Sequence, residues 1–384
     1  MSGTRTNTDK HGSVKYARLA CLLLLAACLL LVACTPRDPA PAVITVVATL
    51  TPDPVGSMAT PAPEPPTSTP PPTPVPIHWQ LTEGGCCVQP MWSPDSQQVW
   101  FVDKPSADAP AGFYAVNVDE PMQPPFRVLD LIGIYSSDLS LVAYPAEHDT
   151  MVERVSDGQT WVIPNQGQSV VFSPDAQRIA WEIEDIDGPY DERRVDVYMA
   201  RFDGEDPVLV ASEFGGGLIG WLDEQRIVFV GRPALDVRER TLTALDISTN
   251  IAVDLVTAER ISGVSVSAKG GWLAYFISFD ADAARNGIWL QRSDGSDARR
   301  LEVWGAYQWR DDSRLLYIPI RPSPDAPFVI YEYDTANGQS RPVTDPAAAP
   351  IHMANGDWRV SPDGRYVAYV NSEDRNLWLV ELKP

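Results

Sequence analysis

Two adjacent cysteines, Cys86 and Cys87, are the side chains of this sequence best suited to redox chemistry. In the run Glu83-Gly84-Gly85-Cys86-Cys87-Val88 they are placed to form a vicinal disulfide in an oxidising compartment, a tight ring that stiffens its loop or turns a sulfur face toward a ligand. Metal chemistry needs more donors. His78, His148 and His352 all lie apart from the pair in sequence, without the spacing of a zinc site, so no metal site is expected. The most charged stretch, Asp185-Ile186-Asp187-Gly188-Pro189-Tyr190-Asp191-Glu192-Arg193-Arg194, contains the Asp-x-Asp-Gly start of a calcium loop but none of the later acidic ligands of an EF-hand. Calcium has only a partial ligand set there, and no cofactor is expected.

Other fragments suggest enzymes and fall short. Gly215-Gly216-Gly217-Leu218-Ile219-Gly220 matches a dinucleotide-binding glycine pattern, but it leads into Trp221 and a strand rather than into a helix whose N-terminus would hold a pyrophosphate. Ser156-Asp157-Gly158-Gln159-Thr160-Trp161 is similar to the Asp-box turn of sialidases, yet it lacks the residue between Asp and Gly and reads as a hairpin turn. No G-x-S-x-G elbow is present. Carboxylates are abundant, which leaves two-acid glycosidase chemistry as the remaining catalytic route; it would require a pair facing each other across a cavity.

The elements that must position these residues come from a repeat. Trp92-Ser93-Pro94-Asp95 runs into Val99-Trp100-Phe101, Phe172-Ser173-Pro174-Asp175 into Ile179-Ala180-Trp181, and Val360-Ser361-Pro362-Asp363-Gly364 into Val367-Ala368-Tyr369. Each is an apolar strand, a turn set by Pro and closed by Asp or Gly, and a β-branched and aromatic strand. Weaker copies occur at Tyr135-Ser136-Ser137-Asp138, Trp221-Leu222-Asp223, Ser267-Ala268-Lys269-Gly270 and Trp309-Arg310-Asp311-Asp312. The anchors Asp95, Asp138, Asp175, Asp223, Lys269, Asp312 and Asp363 lie 37 to 51 residues apart, the length of a four-stranded propeller blade. A second hairpin follows most of them, with turns such as Asp203-Gly204, Asp294-Gly295 and Asn337-Gly338.

The expected fold is all-β, a propeller of seven four-stranded blades, with six as the alternative if Trp221 or Trp309 falls outside an inner strand. The last repeat stops after three strands, so a strand around residues 77–82 is expected to close the ring and cover its open edge. In a four-stranded blade the loops between strands two and three, and those between blades, gather on one face around the central funnel, opposite the Ser-Pro-Asp turns. Residues expected on that face are Asp185, Asp187, Tyr190, Asp191, Glu192, Arg193, Asp236, Arg238, Asp280, Asp282, Arg285, Arg321 and His352, with the Cys86-Cys87 loop beside them. This ring of mixed charge suits a peptide or another polar ligand.

Ser-Pro-Asp before a short β-branched and aromatic strand, repeated around a ring, resembles the TolB-like propeller repeat, a WD-repeat-like blade, from Ile77 to Pro384. Since TolB-like proteins act as envelope docking platforms, the resemblance implies binding or scaffolding of protein or peptide partners rather than catalysis. TolB also carries an N-terminal α/β domain, where this chain has a Pro-Thr tether. The alternative is a carbohydrate-active or hydrolytic propeller with acids around its funnel.

The N-terminal residues bear on location. Arg5, Lys10, Lys15 and Arg18 precede an apolar run from Leu19 to Ala33, too short to span a bilayer comfortably and suited to a signal-peptide core. Leu31-Val32-Ala33-Cys34 resembles a bacterial lipobox, which makes residues 1–33 a lipoprotein signal peptide and Cys34 the lipidated mature terminus. Residues 34–76 are a Pro/Thr-rich linker with a reach of about 130 Å if extended as polyproline II. The head, residues 77–384, is then extracytoplasmic and lipid-anchored to the cell membrane or outer membrane. A net charge of -21 repels phosphate backbones and excludes nucleic acid as a partner. The expected partner is an envelope protein or peptide, met by a monomer.

Overall fold

In the computed structural model residues 78–85, 89–323 and 326–383 are described. The leader, Cys34, the linker and Cys86-Cys87 lie outside them. The described chain is built from β-strands arranged as a propeller, with two short 3-10 turns, Tyr190–Glu192 and Ala283–Arg285.

Five sheets have four antiparallel strands each. The first holds Met91–Trp92, Gln98–Asp103, Gly112–Asn117 and Phe126–Leu129, and the second holds Ile134–Tyr135, Leu141–Ala146, Asp149–Arg154 and Thr160–Ile163. A third sheet of seven strands runs from Val170–Phe172 to Ile251–Ala258. The fourth contains Ile261–Val266, Trp272–Ile277, Gly287–Arg292 and Arg299–Leu301; the fifth contains Gly305–Trp309, Arg314–Pro319, Tyr331–Asp334 and Gln339–Pro342. The sixth combines Met353–Val360, Tyr366–Asn371 and Leu377–Glu381 with the first strand, His78–Gln80, which pairs His78 with Val380 and Gln80 with Trp378. The N-terminal strand thus closes the ring as its position in the sequence suggested.

The expectation of separate four-stranded blades throughout is corrected in the third sheet. Val208–Trp221 is one strand of 14 residues, pairing through its first half with Arg194–Arg201 and through its second with Arg226–Arg232. Gly215, Gly216 and Gly217 take the place of a connecting loop. Gly215 has φ +60°, and the register shifts between Phe214 and Gly217 and again between Leu218 and Gly220, so the strand turns from an outer to an inner position without leaving the ladder.

The Ser-Pro-Asp turns are closed by a repeated hydrogen-bond set. The Ser93 hydroxyl donates to Asp95 Oδ1 at 2.6 Å and accepts the Gln98 N–H at 2.9 Å, while Asp95 also accepts the Gln97 N–H at 3.0 Å and Ser96 takes φ +63°. The hydroxyl of Ser93 and the N–H of Gln97 hold the Asp95 carboxyl below the usual range. Ser136 with Asp138, Ser173 with Asp175 and Ser361 with Asp363 repeat the Ser-to-Asp bond at 2.7, 2.5 and 2.6 Å.

The turn Ser267-Ala268-Lys269-Gly270 has no carboxylate of its own and takes one from the next sheet, Asp312. Asp312 is therefore not the anchor of its own hairpin, a correction to the sequence reading. That role falls to Asp311, whose Oδ1 accepts the N–H groups of Ser313 and Arg314, both at 2.8 Å, while Arg314 Nε donates to Oδ2 at 2.6 Å. Asp223 and Arg226 make the same arrangement, with Arg226 Nε 2.7 Å from Asp223 Oδ2.

Neighbouring sheets are fastened at the inner strands. The indole N–H of Trp92 donates to the Arg359 carbonyl at 3.0 Å, that of Trp221 to Val171 at 3.1 Å, and that of Trp309 to Ser265 at 3.2 Å. The aromatic that opens each of these repeats thus reaches back to the preceding inner strand. Hydrophobic layers fill the spaces between sheets, such as Leu81, Val99, Phe101 and Leu379 between the first and last, and Trp358, Tyr369, Leu316 and Ile330 between the last and fifth. Between the fifth and sixth sheets lies a buried ion group. Arg310 pairs with Glu332 there, its Nε donates to the Gly364 carbonyl at 2.9 Å and another guanidinium nitrogen to the Lys383 carbonyl at 3.0 Å, and Arg341 meets Glu332 at 2.7 Å from the solvent side.

Candidate functional site

The glycine bend of Val208–Trp221 forms the floor of a cleft of about 530 Å³ on the face formed by the interstrand loops. Its lining includes Glu182, Tyr190, Asp191, Leu218, Val230, Arg240, Arg260, Ile261, Ser262 and Ser278. Three local requirements build it. A Cβ on Gly216 would lie 1.8 Å from the Val230 carbonyl oxygen, so only glycine lets the two strands close there. A Cβ on Gly215 would lie 2.5 Å from the Asp191 carbonyl oxygen, where the charged loop folds down onto the bend. One on Gly217 would lie 2.4 Å from Glu182 Oε2, so the missing side chain is what lets that carboxylate sit over the backbone.

Arg240 ties the cleft together. Its Nε donates to the Gly215 carbonyl at 2.6 Å and its other nitrogens to the Glu259 carbonyl at 2.6 Å and the Asp191 carboxylate at 2.5 Å. Arg232 donates to the Asp191 carbonyl. The second cation of the lining, Arg260, stands 5.1 Å over the Phe279 ring. Glu182, on strand Arg178–Glu184, accepts the Leu218 N–H at 2.7 Å through Oε2. Its Oε1 has no hydrogen-bond partner among the described residues. Burial pushes the Glu182 carboxyl above the usual range and the neighbouring Glu184 adds to this, against the opposing bond from Leu218.

The residues picked from sequence fall into separate groups. Tyr190 and Asp191 line the cleft, and Glu192 completes their 3-10 turn. Asp185 accepts the Asp187 N–H at 3.2 Å, which makes the calcium-like stretch a local turn, and Arg193 pairs with Glu184 at 3.3 Å. Asp236 and Arg238 share the connection after Arg226–Arg232, with Arg238 2.9 Å from Glu259. Arg285 pairs with Asp280 at 3.0 Å, and Asp282 accepts the Ala284 N–H at 2.9 Å. Arg321 stacks 4.1 Å over Phe328 and donates to the Ala326 carbonyl at 3.0 Å; His352 lies 3.7 Å from Glu373. Neither of these two lines the cleft. Cys86 and Cys87 are outside the described residues, although Gly85 just before them donates to Asn376 Oδ1 at 2.9 Å.

Glu182, Arg240 and Arg260 were not picked from sequence. A single Glu in an alternating strand reads as solvated, and the signal that points to it is the three-glycine run inside a strand, where side chains are missing because something else occupies their space. Among the described residues no three His, Cys, Asp or Glu side chains are grouped so as to hold a metal ion.

No protein family matches the chain by sequence, and no curated protein does. Solved structures that share the fold include an oligogalacturonate lyase in complex with manganese, with a TM-score of 0.55 at 11% identity over 80% of this chain and 97% of that one. The oligogalacturonate lyase of Vibrio parahaemolyticus gives 0.54 at 10% identity, again over 80% and 97%. TolB from Acinetobacter baumannii is also among the matches, at 14% identity over 74% of this chain and 79% of that one, but its TM-score of 0.38 gives it no weight. At these identities the likeness concerns the fold alone.

Proposed function

We propose that this chain is a binding module of the cell envelope, a propeller that receives a protein or peptide partner in the Glu182–Arg240 cleft. Five sheets are four-stranded, and the 14-residue strand Val208–Trp221, shared between the two halves of the seven-stranded sheet, supports reading that sheet as two joined blades and the ring as seven-bladed. The leader and Leu-Val-Ala-Cys run support export and a lipid anchor on Cys34, with the Pro/Thr-rich segment as spacer. The observation that carries the reading is the cleft itself. It is walled by apolar and hydroxyl side chains, contains a few placed charges, and is capped by an exposed aromatic at Tyr190, the composition of a recognition site.

A carbohydrate-active reading would have to draw on the lyases that share the fold, one of which holds manganese. The donor groups needed for such a metal are not grouped among the described residues of this chain, so binding is the better supported reading.

A photo-crosslinking residue at Tyr190, in the full chain expressed in its own cell, tests the reading against the same residue at Ala336, exposed in a turn on the opposite face. Discrete adducts from position 190 and none from 336 are expected. Equal labelling from both positions would sink the assignment.

A further inference from the structure

We propose that Glu182 receives a primary ammonium group, so that the partner of the cleft presents either its amino terminus or a lysine side chain there. The inference rests on the peptide-binding reading and specifies its chemistry. Glu182 reaches the cleft from the strand wall, with one carboxylate oxygen spent on the Leu218 N–H at 2.7 Å and the other without a partner among the described residues. The cations that share the cleft are engaged elsewhere, Arg240 by Asp191 at 2.5 Å and Arg260 over the ring of Phe279. Among the described residues Glu182 therefore faces the cleft without an ion-pair partner, Arg260 being turned to the ring rather than to the carboxylate.

The space beside the carboxylate is suited to a compact donor. Leu218 and Ile261 supply apolar wall for an alkyl stem, Ser262 and Ser278 supply hydroxyl acceptors, and an ammonium carries three protons to distribute among such groups. A guanidinium would need a planar fork of acceptors, and Oε2 is already turned to the backbone. Gly217 keeps the arrangement in place, because any side chain there would strike Glu182 Oε2.

The test uses the full chain in mild detergent and three pools of randomised hexapeptides, labelled at the C-terminus and read by fluorescence anisotropy. One pool has a free amino terminus and no lysine, the second is N-acetylated with one lysine, and the third is N-acetylated without lysine. At least one ammonium-bearing pool is expected to bind about tenfold or more tightly than the third, in line with a hydrogen bond to a charged group, and E182Q is expected to erase the difference. The first pool winning identifies an amino terminus, the second a lysine. G217A, which moves the carboxylate without removing its charge, should weaken the same preference.

E182Q should unfold at the same temperature as the parent or higher, since a neutral amide is less costly to bury than the carboxylate, so lost binding is not lost folding. If all three pools bind alike and E182Q changes nothing, the ammonium assignment is overturned while the peptide reading stands. If no pool binds, both are overturned.

Discussion

Asp312 completes a turn in the sheet that precedes its own: its Oδ1 accepts the Ser267 hydroxyl at 2.6 Å and the Lys269 N–H at 3.1 Å. In the turns at Ser93, Ser136, Ser173 and Ser361 the same task falls to an Asp two residues after the Ser. The carboxylate has moved in sequence, while its place beside the hydroxyl is kept.

Asp312→Ala should therefore destabilise the protein by about 1–3 kcal/mol, the usual cost of leaving such partners unmet. Lys269→Asp restores a carboxylate at the ordinary position and should recover much of that loss in the double variant. In the parent background it should give no gain, because two acids then compete for one hydroxyl. Urea denaturation of the four proteins measures the coupling, and strict additivity would show that the shared turn does not matter.

Closure of the ring should weaken in mild acid. His78 contacts the Tyr369 hydroxyl and packs 4.9 Å from the Trp378 ring, and burial lowers its pKa below the ordinary imidazole value. The folded state thus prefers the neutral ring, and the unfolded chain takes up the proton first. Stability falls as pH drops below about 6.5 and continues to fall until the folded-state histidine is itself protonated. His78→Phe should flatten that part of a melting-temperature profile; an unchanged slope between pH 7 and 5 would assign the effect elsewhere.

The buried ion group should respond unequally to its members. Arg310→Met leaves Glu332 charged and almost fully enclosed, with an expected loss of about 3–5 kcal/mol. Arg341→Met removes a partner that is half exposed and should cost about 1 kcal/mol or less. Guanidinium denaturation separates the two, and equal losses would refute the difference in burial as the cause.

Glycines of the ring should divide by what surrounds them. Gly216→Ala forces a Cβ against the Val230 carbonyl and should cost about 3 kcal/mol or more. Gly158→Ala meets open space and suffers only from its φ of +70°, for about 1–2 kcal/mol. Thermal melts of both variants are sufficient, and similar losses would contradict the tight approach at Gly216.

Much of the architecture was legible because its determinants are local. Ser93 and Asp95 fix a turn within six residues, and Ile288-Trp289-Leu290 before Asp294-Gly295 signals a hairpin without outside help. What escaped depends on neighbours distant in sequence. Asp312 looks like the anchor of its own turn until the fold brings Ser267 beside it, and the glycines 215–217 look like a fragment of a dinucleotide-binding pattern until Val230 is seen against them. The cleft was half legible for the same reason. Tyr190 and Asp191 stand out in a charged loop, whereas Glu182 and Leu218 meet across 36 residues.

The pairing of His78–Gln80 with Leu377–Glu381 also sets an order of events. Sheets one to five can assemble as the chain emerges, each from contiguous sequence, but the first strand waits for a partner about 300 residues later, and that long loop must be closed before the pairing is rewarded. Among the sheet pairings, ring completion is thus the one expected last. A chain cut short before Leu377 would strand both edges, open to any other β-strand nearby.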